Sequence, residues 1–191
     1  MKAKPRKDQI RLVAEQLFRE HGYASTSMRE LADSLGIEAA SLYNHITSKE
    51  EILQDICFSM AESFFQAIEP IEESGLGPVE KLRYAIEAHL GVIAANSNAS
   101  AVFLHEWRHL GEPFLGDFRL MRRRYEKLFH TVIEEGVRAG VFQPLDATLT
   151  ARTLLSAINW TYEWYNPNGK VSPSAMADLI RKILLDGIVK K

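Results

Sequence analysis

Residues 105–109 read His-Glu-Trp-Arg-His. In that spacing two imidazoles one helical turn apart can hold a zinc ion while the glutamate takes a proton from bound water, so the implied chemistry is metal-assisted hydrolysis. Such a site needs a third ligand. Three and six residues after His109, where an extended zinc-peptidase pattern carries glycine and histidine, the chain has Glu112 and Leu115; Glu126 and Glu134 remain alternative ligands by spacing. On a helical wheel Phe103, Leu104, Trp107 and Leu110 form an apolar arc opposite His105, His109 and Arg108 lie on the His105 side, and Glu106 falls at the edge of the arc. The imidazoles then point away from the packing face. The expectation is that no residue here is catalytic, that no metal or other cofactor is required, and that Glu106 either pairs with a cation or orients an apolar ligand.

Other polar residues lie among apolar neighbours at helical spacing: His89, Tyr125, Asn159 and Tyr162. Asn159 stands out because an amide inside so apolar a helix needs a partner, whether ligand, water or backbone. Together with Phe103, Glu106, Leu110 and Met121 these are the expected lining of a ligand cavity. The run Arg122-Arg123-Arg124 reads first as a solvated face and second as a cradle for phosphates at a cavity mouth.

Helices must position these groups. Apolar residues recur at helical spacing over 6–21, 28–35 and 49–68, and again over 79–95, 99–110, 114–138, 147–165 and 173–188. Between these runs fall Gly22, Gly36, Pro70, the Ser-Gly-Leu-Gly-Pro segment at 74–78, Gly111 with Pro113, Gly140 and Asn166-Pro167-Asn168-Gly169. With a short helix after Gly36, the reading is an all-α chain of about nine helices. The 191 residues are 46% hydrophobic and 25% charged, as in a globular protein with a substantial core. One cysteine, Cys57, has no partner for a disulfide or thiolate clip and reads as a buried apolar residue. No apolar run approaches the roughly 20 residues that span a bilayer, and the basic start lacks an apolar stretch behind it. A cytoplasmic protein with no membrane partner is expected.

The segment 26–53 is the most informative. Ser27 with Glu30 forms a capping box that starts a helix at Met28, Gly36 can end it in the left-handed conformation, and Ser48 with Glu51 starts the helix after next. Between them Leu42 and Ile46 make one apolar face, leaving Ala40, Ser41, Tyr43, Asn44 and His45 facing out. Two short helices joined by a glycine turn, with small and polar residues outward on the second, fit a major groove. Net charge is only −2, but residues 1–29 carry seven Lys or Arg against three acids, so basic charge gathers at this end. Phosphates would meet Thr26, Ser27, Tyr43, His45 and Lys49. Ser41, Asn44 and the Ala40 methyl would reach base edges, and Arg29 either one.

Thr26-Ser27, Leu31-Ala32, Gly36-Ile37, Leu42-Tyr43-Asn44-His45 and Lys49 resemble the DNA-binding domain of the TetR family of transcriptional regulators over about residues 8–55. Glu38, the Ala39-Ala40 pair and Ile46 depart from that pattern, the first two at the start of the groove-entering helix. The resemblance implies a three-helix DNA-binding domain at 1–48 and a larger helical ligand-binding and dimerisation domain at 49–191. In such regulators the last two long helices pair two copies in a four-helix bundle, here 148–166 and 174–188. Residues 159–172 are also similar to family members that repress fatty-acid, aromatic-acid or steroid catabolism and sense acyl-CoA thioesters. The implied function is a homodimeric repressor on a double-stranded DNA operator, released by a small-molecule effector. The competing reading is the zinc hydrolase.

Overall fold

The computed structural model describes residues 5–72 and 74–186. Ten α-helices and one 3-10 turn make up the regular structure of those residues, with no strand among them beyond an isolated bridge at Phe142. In chain order the helices are α1 (Arg6–His21), α2 (Met28–Ser34), α3 (Ala39–Leu42), α4 (Lys49–Glu72), α5 (Pro78–Ala95) and α6 (Ser97–His105). After the 3-10 turn at Glu106–His109 come α7 (Phe114–Arg138), α8 (Ala147–Asn159), α9 (Thr161–Trp164) and α10 (Pro173–Asp186). The expected end of the last helix, 187–188, and the basic residues Lys2 and Lys4 lie outside the described residues.

The chain packs as two compact units. The first holds the N-terminal residues through Ala61 with Asn98–Arg119, and the second holds Glu62–Ser97 with the residues from Leu120 onward. These packing units are cut differently from a division at 48/49, because α4, α6 and α7 each contribute to both.

In the first unit, Ile10, Ala14, Leu17 and Phe18 of α1, Leu31 and Ala32 of α2, Leu42 of α3, and Ile52, Leu53, Ile56 and Cys57 of α4 are buried. These are the stripes their spacing predicts, and burying each large side chain contributes roughly 1.5–3 kcal/mol. The second unit's core joins Ile68 and Ile71 of α4, Leu82, Ile86 and Leu90 of α5, Phe129 and Ile133 of α7, Leu154 and Ile158 of α8, and Met176 and Leu185 of α10. Arg181 of α10 ties to Glu87 of α5 at 2.8 Å.

Three boundaries differ from the expected ones. α4 runs on through Pro70 to Glu72, since a proline in the last turn forfeits only one hydrogen bond before the helix ends. The 99–110 run tightens into a 3-10 turn after His105, and Leu110 N–H bonds to Trp107 O as Gly111 and Pro113 follow. The 147–165 run divides at Trp160. There the Thr161 hydroxyl donates to Ile158 O at 2.6 Å and competes with the helical amide ladder.

Candidate functional site

The segment expected to read DNA is built from caps. Ser27 Oγ accepts from Glu30 N–H at 3.1 Å and the Glu30 carboxylate receives the Ser27 N–H, completing the capping box that opens α2. At its other end Gly36 has φ +64, and Ile37 N–H reaches back to Ala32 O, so the chain reverses into α3. α3 is one turn long. His45 N–H to Leu42 O and Asn44 N–H to Ser41 O continue the winding with shorter loops, so Tyr43, Asn44 and His45 stand on a tight turn rather than on the regular helix expected. Leu42 and Ile46 are buried beneath it. Ser27, Arg29, Ala40, Ser41, Tyr43, Asn44 and His45 are all solvent-exposed, and Tyr43 is the largest apolar surface among them.

Two expected phosphate contacts are placed elsewhere. Thr26 is buried, with its hydroxyl donating to Gly22 O at 2.9 Å and its N–H also bonded to Gly22 O. A β-branched hydroxyl below the cap finds the orphan carbonyls at the end of α1 before it can find solvent. Lys49 Nζ donates to Tyr23 O and Thr26 O at 2.7 Å each and lies 4.3 Å from the centre of the Tyr23 ring. Desolvation there lowers its pKa. It therefore pins the α1–α2 turn to the start of α4. Glu51 N–H bonds Ser48 Oγ as expected, but the Glu51 carboxylate turns to Thr47 N–H and Oγ1, which lowers its pKa.

The His-Glu-Trp-Arg-His letters separate. His105 closes α6, while Glu106 to His109 wind as a 3-10 turn. His109 lies against the Tyr23 ring at 5.2 Å and its Nε2 stands 3.4 Å from Glu106 Oε2. Arg108 covers Trp107. Among the described residues no group of three or more His, Cys, Asp or Glu is arranged to hold a metal.

Of the expected ligand-lining residues, three meet in the second unit. His89 Nδ1 takes the Tyr125 hydroxyl at 3.0 Å and Nε2 meets Asn159 Oδ1 at 3.0 Å, so with Nε2 donating to the amide oxygen, Nδ1 is the acceptor. The imidazole stacks on Phe64 at 4.6 Å. Burial pushes the His89 pKa down to about 3 and the Tyr125 phenol up. The Asn159 partner is thus a histidine, and His89 has no ring nitrogen left for a ligand: an expected contact becomes a brace between α5, α7 and α8. Met121 is half-buried and Tyr162 buried, the latter against Trp160. Phe103, Glu106 and Leu110 belong to the first unit, where Phe103 packs edge-on to Phe118, Leu110 is buried and Glu106 pairs with His109.

A cleft of about 420 Å³ opens within the second unit, in the size range of small-molecule sites. Its apolar walls are Ile68, Ile71, Ala85, Leu128, Phe129 and Val132, and Lys81, Arg124, Lys127, Thr131 and Glu135 complete the lining. Of these only Arg124 was signalled by sequence, through the arginine run. Lys81 and Glu135, 3.4 Å apart across 54 residues of chain, carried no pattern that could pair them.

Residues 10–56 match the family model of bacterial regulatory proteins, tetR family, and residues 75–188 match the tetracyclin repressor-like C-terminal domain. The chain belongs to the TetR family. TetR-family relatives include the HTH-type transcriptional repressor KstR2 of Rhodococcus jostii (strain RHA1), 31% identical over 96% of this chain and 91% of that protein. The structure of the ketosteroid transcriptional regulator KstR2 of Mycobacterium tuberculosis covers all of this chain and 98% of its own, with a TM-score of 0.93 at 26% identity. AibR in complex with isovaleryl coenzyme A and operator DNA has a TM-score of 0.81 at 25% identity, over 94% of this chain and 97% of that one. TetR membership makes this chain a ligand-responsive, DNA-binding transcriptional regulator, and the hydrolase alternative finds no support among these relatives. No helix among the described residues is long and apolar enough to cross a membrane.

Proposed function

We propose that this TetR-family chain is a homodimeric repressor whose operator grip is released by an acyl-CoA effector. The observation that carries the DNA-binding half is the solvent-facing set Ser27, Arg29, Ala40, Ser41, Tyr43, Asn44 and His45 around one glycine turn. Ser27, Tyr43 and His45 hold phosphates, Ser41, Asn44 and the Ala40 methyl read base edges, and Arg29 reaches either. Thr26 and Lys49 hold the head in shape beneath them. Residues 1–48 form this head, and 49–191 carry the effector site and the dimer surface.

Dimerisation falls to α8, α9 and α10, where Leu149, Trp164, Leu179 and Ile183, with Trp160 at the junction of α8 and α9, are all more than half exposed. Two copies joined through these helices place two heads on a two-fold symmetric operator. The effector reading draws on the cleft, which offers apolar walls with Arg124 and Lys127 at one end, and on AibR, whose complex holds isovaleryl coenzyme A. An effector that prefers one spacing of the heads shifts the dimer from the operator-bound state with a coupling of about 1–3 kcal/mol. Electrophoretic mobility shift on the DNA upstream of the chain's own gene, titrated with a panel of CoA thioesters, tests both halves. Retardation reversed by micromolar thioester is expected. Absence of retardation overturns the DNA reading, and retardation indifferent to every thioester overturns the effector class.

A further inference from the structure

The cleft has two chemically different ends. Arg124, Leu128, Val132 and Glu135 recur along one face of α7, and the eleven residue steps from Arg124 to Glu135 cover about 16 Å at 1.5 Å per step. Arg124 and Lys127 make one end cationic. At the other, Lys81 of α5 is ion-paired with Glu135 at 3.4 Å, only 19% exposed. Apolar side chains of α4, α5 and α7 lie between.

We propose that Lys81 and Glu135 are the subsite that reads the thioester of the effector, so that the cleft distinguishes a CoA thioester from free CoA and from a CoA thioether. The inference rests on the acyl-CoA reading above. Phosphate oxygens suit Arg124 and Lys127. From there an extended pantetheine arm, about thirteen chain atoms advancing about 1.2 Å each, spans the same length as the cleft. It brings the cysteamine N–H and the thioester carbonyl, a donor and an acceptor separated by two methylenes and the sulfur, to the Lys81–Glu135 pair. An ammonium has three donors and a carboxylate several acceptor positions, so their ion pair leaves both able to bond further. Glu135 accepts from the amide and Lys81 donates to the carbonyl oxygen. A neutral side chain at 81 would provide no charged donor for that oxygen, and a thioether provides no oxygen for the donor.

Calorimetric titration of the full chain with butyryl-CoA and with the thioether S-butyl-CoA tests this. The wild type is expected to bind the ester about tenfold more tightly, the worth of one charge-assisted hydrogen bond. Lys81→Met should cost butyryl-CoA about tenfold more affinity than it costs S-butyl-CoA, so that the preference for the ester is lost, while Lys81→Arg, which keeps the donor, retains most of the preference. Equal wild-type affinity for ester and thioether overturns the proposal without needing any variant, as does a Lys81→Met protein that weakens both ligands alike. Binding of neither CoA derivative overturns the acyl-CoA reading itself, a result distinct from loss of discrimination.

Discussion

His89 sits in α5 with both ring nitrogens bonded, Nδ1 accepting from Tyr125 and Nε2 donating to Asn159, and burial holds its pKa down to about 3. In the unfolded chain the imidazole returns to its ordinary value of 6.5. Between those two values only the unfolded chain takes up the proton. This contribution to stability is therefore whole above pH 6.5 and is lost as pH falls from there toward 3, at up to about 1.4 kcal/mol per pH unit. Urea unfolding at pH 7.5 and pH 5 should show the wild type weaker by about 2 kcal/mol at the lower pH. His89→Leu should flatten that dependence while costing about 2 kcal/mol at pH 7.5, because the Tyr125 hydroxyl and the Asn159 carbonyl are left without the imidazole. An undiminished pH slope in the variant would show that another group carries it. In the reading head, Tyr43→Ala should weaken operator binding about tenfold with folding intact, since Tyr43 is exposed, and should leave the slope of log affinity against log salt unchanged, because a phenol hydroxyl is not a cationic phosphate contact. Thr26→Ala should instead lower stability by about 1 kcal/mol through the lost bond to Gly22 O, with the operator affinity of the folded protein little changed. The sequence made Asn159's need for a partner legible, because one amide in an apolar helix is a local fact. That the partner is His89, 70 residues away, is a fact of packing.

At the scale of elements, stripes and caps were readable because they are local: Ile10, Ala14, Leu17 and Phe18 fall on one side of α1, and Ser27 with Glu30 starts α2 where their spacing says. Less readable were the places where a helix changes its winding. Trp160 divides one apolar run where the Thr161 hydroxyl bonds back to Ile158 O, and the run through His105 tightens as its last amides take nearer carbonyls. Both leave the apolar pattern intact, so periodicity gives no sign of them. The placement of Phe103, Glu106 and Leu110 in a different packing unit from His89 was equally out of reach, since spacing along a helix does not say which neighbour it meets. The end of α7 offers a test at this scale. Gly140, at φ +71, turns the chain so that Val141 and Phe142 N–H both reach Gly136 O, and the Phe142 ring lies directly over the Gly136 Cα. A methyl at 136 would overlap that buried ring. Gly136→Ala should therefore cost about 2–3 kcal/mol, against a gain of about 1 kcal/mol expected for the same change at an open helical site such as Gly91. Thermal unfolding of the two variants side by side decides it. Equal behaviour would mean that Phe142 has another place to go.

For the whole molecule, the proposed homodimer makes operator affinity depend on joining two heads. Each head presents few cations: the described part of the reading surface has Arg29 with neutral side chains around it, so one half-site alone is held weakly at physiological salt. The exposed apolar residues of α8 and α10 do not serve the intrachain core, which is filled from the opposite sides of the same helices by Leu154, Ile158, Met176 and Leu185. Leu179 and Ile183 stand one turn apart on α10 at 60% and 64% exposure, a spacing that faces a neighbouring helix. In a two-fold interface each substitution acts twice, so placing carboxylates there opposes association from both copies. Leu179→Glu combined with Ile183→Glu should convert the dimer to a monomer on size-exclusion chromatography with light scattering, with helical content unchanged because both positions are outside the core. Operator affinity should then fall by about 100-fold or more, the avidity lost when two linked sites become one. Phosphate contacts within each remaining head would be intact, so the salt slope should drop to about half rather than vanish. A monomeric variant that kept full operator affinity would assign binding to a single head and would remove dimer spacing as the quantity an effector acts on.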